Sequence, residues 1–555
     1  LVLLAAAVVL SEFAPTWHAA SAAEPGLRPL HATHGAGARI VDDLGRTVIL
    51  RGVNVNGLGE YYQEWPDLPS TLPLTDADFA EIAADGFNVV RLLITWSRLE
   101  PSSGAIDAAY LDRIAATVAM AKAHDIYVLL DMHQDAWGPH VDTPDGVTCP
   151  PGLTPAVGWD GAPEWATALV GTPLTCTIGG TRELSASAET SFTQFYADLD
   201  GVQQHLLDVW TAVARRFANE PAVAGYDLLN EPNPGMVPGV TDYTLLGAFY
   251  GRVIGAIRSV DAKHAIFFEP AVITGPLAVP APLPVFSNDT NLVYAPHLYN
   301  ESISILPGTI EDGFANAATA AARYGTTFFP GEWGWFGDSA AAQPFIERYA
   351  SNEDAHMVGG TWWQWKQACG DPHAIGSRGH RPSCAGKSIY SDGLVTRAQK
   401  NVDVLTRAYP RAAPGTLTSI NAPVAGGSPR VTGLADIAGV RADLWVPARC
   451  GSPVVAGTNI GPSTTTVVPG GYRVAVPVVA TGAYEISVVC AQSVASGGIS
   501  AVGTTPATGG DESGALAAAA VAVCALGLRR VRSVRTRRSG ARRRRNDRCR
   551  SLARC

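Results

Sequence analysis

The chain has 555 residues, 47% hydrophobic and 16% charged, too long for one ordinary domain and apolar enough for a sizeable core. Its net charge of −9 hides a split: residues 529–555 hold 13 Arg and one acid, leaving 28 basic against 49 acidic side chains, or −21, over residues 1–528. A body this acidic excludes nucleic acid as a partner, because phosphate contacts need clustered Lys and Arg.

In chain order, an apolar run over 1–10 and the small-residue pattern Ala20-Ser21-Ala22 make 1–22 read as a secretory signal peptide without the usual basic start. From 38 to 412, strand-like runs alternate with helical patterns. The runs are 47–56, 87–96, 126–133, 225–230, 265–269, 292–298, 326–331 and 360–365. Between them, Thr75-Asp76-Ala77-Asp78 opens a helix, 107–123 has apolar residues at helical spacing, and helices are expected over 191–217 and 241–260. Eight such alternations predict an α/β fold, a (β/α)8 barrel. A doubly wound sheet is the competitor, but no glycine-rich phosphate loop follows the first strand. A long insertion, 138–189, follows the third strand and holds Cys149, Trp159, Trp165 and Cys176; a loop of that length is usually functional.

A Pro/Gly stretch near 412–415 marks a boundary. Beyond it, 416–491 is rich in Val, Thr and Ala and reads as a small β-sandwich, and 492–514 reads as a linker. Export permits disulfides, and pairing by proximity joins Cys149 with Cys176, Cys369 with Cys384 and Cys450 with Cys490, one of several connectivities that six cysteines allow. Thr505-Pro506-Ala507-Thr508-Gly509, an apolar stretch over 515–528 and the Arg run to 555 together resemble a cell-wall sorting signal of Gram-positive bacteria, with Thr505 in place of the usual Leu. A plain membrane anchor with a positive-inside flank is the other reading. The chain is thus expected to be secreted, retained at the surface of a Gram-positive cell, and monomeric.

Two motifs carry chemistry. Tyr226-Asp227-Leu228-Leu229-Asn230-Glu231-Pro232 and Phe328-Phe329-Pro330-Gly331-Glu332-Trp333-Gly334 are apolar runs that each end in a Glu before a turn. That places two carboxylates at the C-terminal mouth of a parallel barrel, as glycosidic-bond cleavage requires. With Leu130-Asp131-Met132-His133-Gln134-Asp135, Gly161-Ala162-Pro163-Glu164-Trp165-Ala166-Thr167 and Ala295-Pro296-His297-Leu298-Tyr299, the chain resembles glycoside hydrolase family 5, and within it the endoglycoceramidase group, over roughly 38–490. The resemblance implies a retaining enzyme that cleaves between oligosaccharide and ceramide, with no cofactor and a lipid or micelle surface as its working partner.

On that resemblance Glu231 is the general acid/base, expected to have a raised pKa, and Glu332 is the nucleophile, kept ionised by Arg91 and the Tyr299 hydroxyl. Arg91 also stands out by itself, since a charge inside Val89-Val90-Arg91-Leu92 needs a buried partner. The resemblance places Asn230 on the sugar 2-hydroxyl, and His133, Asp135 and His297 on the sugar next to the scissile bond. Two His and an Asp also suffice as metal ligands, but the sugar site accounts for all three and no metal is expected. The eighth strand offers Trp363 as a floor beneath the sugar, with Trp365 as rival. The insertion with Trp159 and Trp165, and Gly235-Met236-Val237-Pro238 after the acid/base, are candidates for an apolar aglycone groove. The alternatives are a family 5 β-glucosidase or endoglucanase acting on glucosylceramide, a steryl glucoside or a β-glucan, and, from another class, an inactive carbohydrate- or lipid-binding surface module.

Overall fold

The computed structural model describes residues 26–272, 284–303, 308–335, 339–375, 378–379, 381, 399–423 and 428–490. The signal-peptide, sorting-signal and basic-tail expectations, and Cys384, lie outside these residues.

Eight parallel strands form one curved sheet: β1 (Arg51–Val55), β2 (Val89–Thr95), β3 (Tyr127–His133), β4 (Val223–Asp227), β5 (Ala265–Phe268), β6 (Leu292–Tyr294), β7 (Thr327–Phe328) and β8 (Gly360–Trp362). They lie in the order β7-β6-β5-β4-β3-β2-β1-β8. Backbone bonds from Thr361 N to Pro330 O (3.1 Å) and from Trp363 N to Trp333 O (2.8 Å) join β8 to the end of β7 and close the barrel. Every residue of β2 and β3 is buried, as a sheet covered on both faces requires. Outward-facing Val90, Leu92 and Ile94 join the helix-side core, whereas Val89, Tyr127, Leu129, Phe267, Val293 and Phe329 form a separate apolar cluster. That second cluster includes Leu30, Ala32, Ile40 and Val48, so the N-terminal segment packs with these inward-facing residues.

Local sequence explains the elements that precede the site. Helix Asp76–Ala84 opens with a capping box in which Asp78 Oδ2 accepts from Thr75 N (2.8 Å), and Asp107 caps Ala108–Ala123 through the N–H groups of Ala109 and Tyr110. The expected helix over 191–217 is two helices, Ala186–Tyr196 and Val202–Phe217. Asp198, Asp200 and Gly201 all take left-handed backbone between them, which ends one helix and starts the next.

The expected run 47–56 also divides, into Arg46–Val48 and β1. The first piece belongs to a seven-stranded antiparallel sheet with Leu30–Ala32, Ile40–Asp42, Tyr409–Pro414, Arg441–Pro447, Gly471–Pro477 and Thr464–Val468. A four-stranded sheet (Thr416–Asn421, Arg430–Ala435, Gly482–Val489, Val454–Thr458) shares its core with this one through Tyr409, Leu417, Val431, Trp445, Val474 and Ile486. The sandwich therefore draws strands from both ends of the 38–412 segment, a correction to the 416–491 division. The Pro414-Gly415 signal is real, but it is a corner of the sandwich: Gly415 (φ 63°) links one sheet to the other, and a Cβ there would lie 2.0 Å from Leu434 O.

Barrel and sandwich lock together at Gly86. It has φ 84°, its carbonyl accepts from Tyr409 Oη (2.8 Å), and a Cβ would fall 2.1 Å from the buried Trp445 indole. Gly86→Ala is expected to cost roughly 2–4 kcal/mol from left-handed strain and overpacking. Urea denaturation would show a lower midpoint, and an unchanged midpoint would mean that the indole is free to shift.

Candidate active site

Inward-facing positions change character along the barrel axis, two residues per step. Above the apolar cluster come Arg91 on β2, Asp131 on β3, Asp227 on β4 and Glu269 just past β5, all buried. One step further are Leu93 and His133, and with them the strand-end residues Asn230, Glu231, His297, Tyr299, Glu332 and Trp363. This is the C-terminal mouth, where such barrels keep their chemistry.

Arg91 organises the middle layer. Its side chain is 0% exposed, and it pairs with Asp131 (2.9 Å), Asp227 (2.9 Å), Glu269 (2.9 Å) and Glu332 Oε1 (2.8 Å). It also donates to Asn230 Oδ1 (2.9 Å) and Asn54 Oδ1 (3.2 Å). Glu332 receives a second bond from Tyr299 Oη at 3.0 Å, so Arg91 holds one oxygen and the tyrosine the other. Burial pushes Asp227 up to about 6 and Glu269 up to about 8, in each case against the attraction of Arg91 and His297.

Glu231 stands at the turn after β4 with a left-handed backbone (φ 37°), a conformation that surrounding contacts must enforce. Its N–H donates to Glu269 Oε2 (2.9 Å), and the Gln134 side-chain amide donates to the carbonyls of Asn230 (2.7 Å) and Glu231 (3.0 Å). Its carboxylate meets two cations: Oε1 lies 2.9 Å from His297 Nδ1, and Oε2 lies 3.1 Å from Arg182 Nη2. A carboxylate oxygen of Glu231 lies within 4.8 Å of one of Glu332. That is close to the roughly 5–5.5 Å of retaining glycosidases and well short of the inverting spacing of about 6.5–9.5 Å.

The expected raised pKa of Glu231 is not found. Burial pushes it up, but the His297 hydrogen bond and the positive charges of His297 and Arg182 outweigh burial and leave it below the ordinary carboxylate range. His297 is itself held well above its ordinary value: burial opposes this, and Glu269, Glu332 and Glu231 overcome it.

His133 and Asp135 meet at the same mouth. His133 Nδ1 lies 2.7 Å from Asp131 Oδ2, and its ring stacks on Trp363 at 5.5 Å and 14°. Asp135 contacts Arg182 (2.8 Å) and His373 (3.3 Å). His297 sits apart from these two, between Glu231 and Glu269, so His133, Asp135 and His297 do not converge as one ligand set. Three other groups bring their donor atoms together: His133–Asp135–Asp160, Glu231–His297–Glu332 and Asp131–Asp227–Glu269. The last surrounds the Arg91 guanidinium, which already stands where a cation would.

The two tryptophans separate. Trp363 clusters with Leu93 and Tyr299 beside His133, whereas Trp365 is buried in the helix-side core with its Nε1 on Asp78 Oδ1 (3.2 Å). The strand ends at Trp362, so its alternation no longer governs residue 365. Trp165 is also a packing residue, edge-on to Trp96 and bonded to Glu100 O (3.1 Å), while Trp159 lies against His373 and beneath Arg182. Cys149–Cys176 ties the insertion and Cys450–Cys490 the sandwich; Cys369 is disulfide-bonded as well. Sequence reasoning missed Arg182, His373 and Glu269 as members of the site. Only Glu269, a strand-end carboxylate like the other two, carried a signal that could have found it.

A sequence model described as Cellulase (glycosyl hydrolase family 5) matches residues 41–368, more than half of the chain. The chain belongs to glycosyl hydrolase family 5. Endoglycoceramidase I of Rhodococcus hoagii is 31% identical to this family 5 hydrolase over 291 residues, 49% of this chain and 53% of that protein. The chain spans about half the length of the curated relatives it matches. Among solved structures, an endogalactoceramidase aligns over 83% of this chain and 100% of its own, at 42% identity and TM-score 0.74. Endo-glycoceramidase II from Rhodococcus sp., in a complex with ganglioside GM3, aligns over 82% and 99%, at 25% identity and TM-score 0.64.

Proposed function

We propose that this chain is a retaining β-glycosidase that releases intact oligosaccharide from the ceramide of glycosphingolipids. The observation that carries this reading is the close pair Glu231 and Glu332, with different partners on the two carboxylates. Arg91 and Tyr299 hold the two oxygens of Glu332, our assigned nucleophile, and His297 stands between Glu332 and Glu231.

The chemistry follows from that placement. Glu231, once protonated, gives its proton to the glycosidic oxygen; the C1–O bond breaks as a Glu332 oxygen bonds to C1. Ceramide leaves as the alcohol. Glu231, now a carboxylate, removes a proton from water; the water oxygen attacks C1 and frees Glu332, and Glu231 is again protonated for the next turnover. Asn230, fixed by Arg91 and Gln134 and sharing the Arg91 guanidinium with Glu332, is the residue we assign to the 2-hydroxyl of the sugar.

An apolar rim supports a lipid aglycone. Leu169, Val170, Leu174 and Ile178 of the insertion are exposed, as are Met236 (59%) and Val237 (41%) shortly after the acid/base. The two stretches adjoin, since Met236 N donates to Thr193 Oγ1 (2.9 Å) on the helix that closes the insertion. Exposed apolar groups concentrated at one edge of a site mark lipid or partner contact. We propose further that the enzyme works at a membrane or micelle surface outside the cell; its disulfides support an oxidising compartment.

The test is mass spectrometry of products from a panel of gangliosides, lactosylceramide and glucosylceramide. Intact oligosaccharide with free ceramide is the expected result. Glucose from glucosylceramide alone would make the enzyme a glucosylceramidase, and turnover only of soluble glucans or steryl glucosides would remove ceramide. Saturable glycolipid binding without any turnover would make the chain a binding module.

A further inference from the structure

We propose that Arg182 is a positioning residue for the acid/base step: its guanidinium occupies Oε2 of Glu231 and Oδ1 of Asp135 in the free enzyme, and a bound glycoside must take its place before Glu231 carries the proton for the leaving oxygen. This rests on the glycosidase reading of Glu231. The geometry is specific. Arg182 Nη2 lies 3.1 Å from Glu231 Oε2 and 2.8 Å from Asp135 Oδ1, and the guanidinium also pairs with Glu183. With His297 on Oε1, both oxygens of the acid/base face a cation, and neither is placed to hold a proton toward a substrate.

The backbone near Arg182 is anchored independently of the contacts that its tip makes. Glu183 O accepts from Asn233 Nδ2 (3.1 Å), which ties the insertion to the turn that carries Glu231. Before Arg182, Gly179 (φ 58°) and Gly180 (φ 76°) form a left-handed turn that begins three residues after the disulfide-bonded Cys176. The side chain is 22% exposed, against 4% for Asp135, and its flat guanidinium lies over the Trp159 ring at 4.5 Å. Glu183 is equally exposed at 23% and Glu231 less so at 13%, so the Arg182–Glu183 pair forms the solvent side of the cluster. A sugar hydroxyl on Asp135 replaces one of its three carboxylate partners and protonation of Glu231 removes a second, leaving Glu183. Filling the site and arming the acid thus become one event, accompanied by uptake of one proton.

The consequence is a pH signature. The groups facing Glu231 are His297, Arg182 and Glu183, Asp135, Glu269 through the backbone N–H, and Glu332 and Tyr299 across the site. His297 and, with it, Arg182 hold the carboxylate below its ordinary range, and kcat/KM falls as free-enzyme Glu231 loses its proton. Deleting the nearby positive charge raises that titration, so the basic limb moves to higher pH, by about 1 unit or more.

The experiment compares pH profiles of kcat/KM for wild type, Arg182→Gln and Arg182→Lys on two β-linked aryl glycosides of the released sugar. One carries phenol, which leaves only with a proton; the other carries dinitrophenol, which leaves without one. The expected result is a basic limb on the phenyl glycoside displaced upward in Arg182→Gln, near wild type in Arg182→Lys, and absent for the dinitrophenyl glycoside. An unmoved limb, with kcat/KM reduced equally on both substrates, would overturn the proposal and leave Arg182 as a support for the loop or the sugar. A measurement on wild type alone stands beside it. Calorimetry of a non-hydrolysable thioglycoside in buffers of different ionisation heat should show proton uptake near neutral pH, and none would also overturn it. Wild type that cleaves these aryl glycosides but no sphingolipid would overturn ceramide as the aglycone and leave Arg182 in place; cleavage of neither would remove the glycosidase reading and this proposal together.

Discussion

Glu332→Gln is expected to lower kcat/KM on any cleaved glycoside by about 10⁴-fold or more, equivalent to about 5 kcal/mol of transition-state stabilisation. The substitution is nearly isosteric, and its amide can satisfy the same neighbours. The amide oxygen accepts from Arg91 Nη1 in place of Oε1, and the amide nitrogen donates to the Tyr299 hydroxyl oxygen in place of Oε2. What disappears is the anion that bonds to C1. A thermal melt within a few degrees of wild type, combined with that loss, would assign the effect to chemistry. Replacing Glu332 by Gly instead opens the face that the nucleophile occupied. Azide can then enter and displace the aglycone in one step, giving the glycosyl azide with inverted, α configuration. Replacing Glu231 by Ala leaves Glu332 to form the glycosyl-enzyme, which azide attacks in a second step, giving the β-azide. The two variants should therefore yield opposite anomers. The same anomer from both, or full activity in Glu332→Gln, would remove the proposed division of roles.

Of the residues that the sequence reading captured, those that stand out without the family resemblance share one property: each is announced by a conflict or a termination inside a regular element. Arg91 is a charge in a run of Val and Leu, and Glu231 and Glu332 end apolar strands just before a turn. Period-two alternation then predicts which neighbours point inward, and it works for as long as the strand lasts. His133 is the last residue of β3 and faces the mouth. Trp365, the rival for the sugar floor, lies three residues past the end of β8, beyond the reach of that alternation, and packs in the helix-side core. Arg182 comes from a loop and His373 from the four-residue helix Pro372–Ile375, and nothing local distinguishes them from any surface Arg or His. Their role depends on where these segments fold back, which is decided by contacts far apart in sequence such as Asn233 with Glu183 and Asp135 with His373. The sandwich shows the same limit: its strands 30–32, 40–42 and 46–48 are separated from their sheet partner 409–414 by the whole barrel. The pKa of Glu231 is a mixed case: His297, named from the sequence, is the larger cause of its lowering, and Arg182, from the loop that carried no signal, adds to it.

Arg91→Met is expected to be the most destabilising single substitution at the site, and more so at high pH than at low pH. The wild-type guanidinium is fully buried and answers four carboxylates, Asp131, Asp227, Glu269 and Glu332. Removing one partner of a buried ion pair costs roughly 3–5 kcal/mol, and here a single change strands four anions. That is a large share of a stability of about 5–15 kcal/mol. Methionine fills most of the volume, so the loss reports charge and hydrogen bonding more than a cavity. The sign of the pH effect follows from the carboxyls. Even with Arg91 present, burial places Asp227 at about 6 and Glu269 at about 8, above their unfolded values of about 4. A group raised in this way favours the native state below the unfolded pKa, and that advantage is lost as pH rises through the folded one. Without Arg91, Asp227 and Glu269 lose a cation that holds them down and move higher, so the window of loss widens upward. Near pH ~4 most of these groups can be neutral in the native state and the variant should approach wild type; by pH ~8 the gap should be greatest. Arg91→Lys should fall between the two, because one ammonium replaces the charge but not the fork that reaches Asn230, Asn54 and four carboxylates. Urea unfolding of the three proteins across this range is the measurement. A deficit that shrinks as pH rises would mean that Arg91 stabilises the barrel by packing, and that the anions beneath the site have another source of compensation.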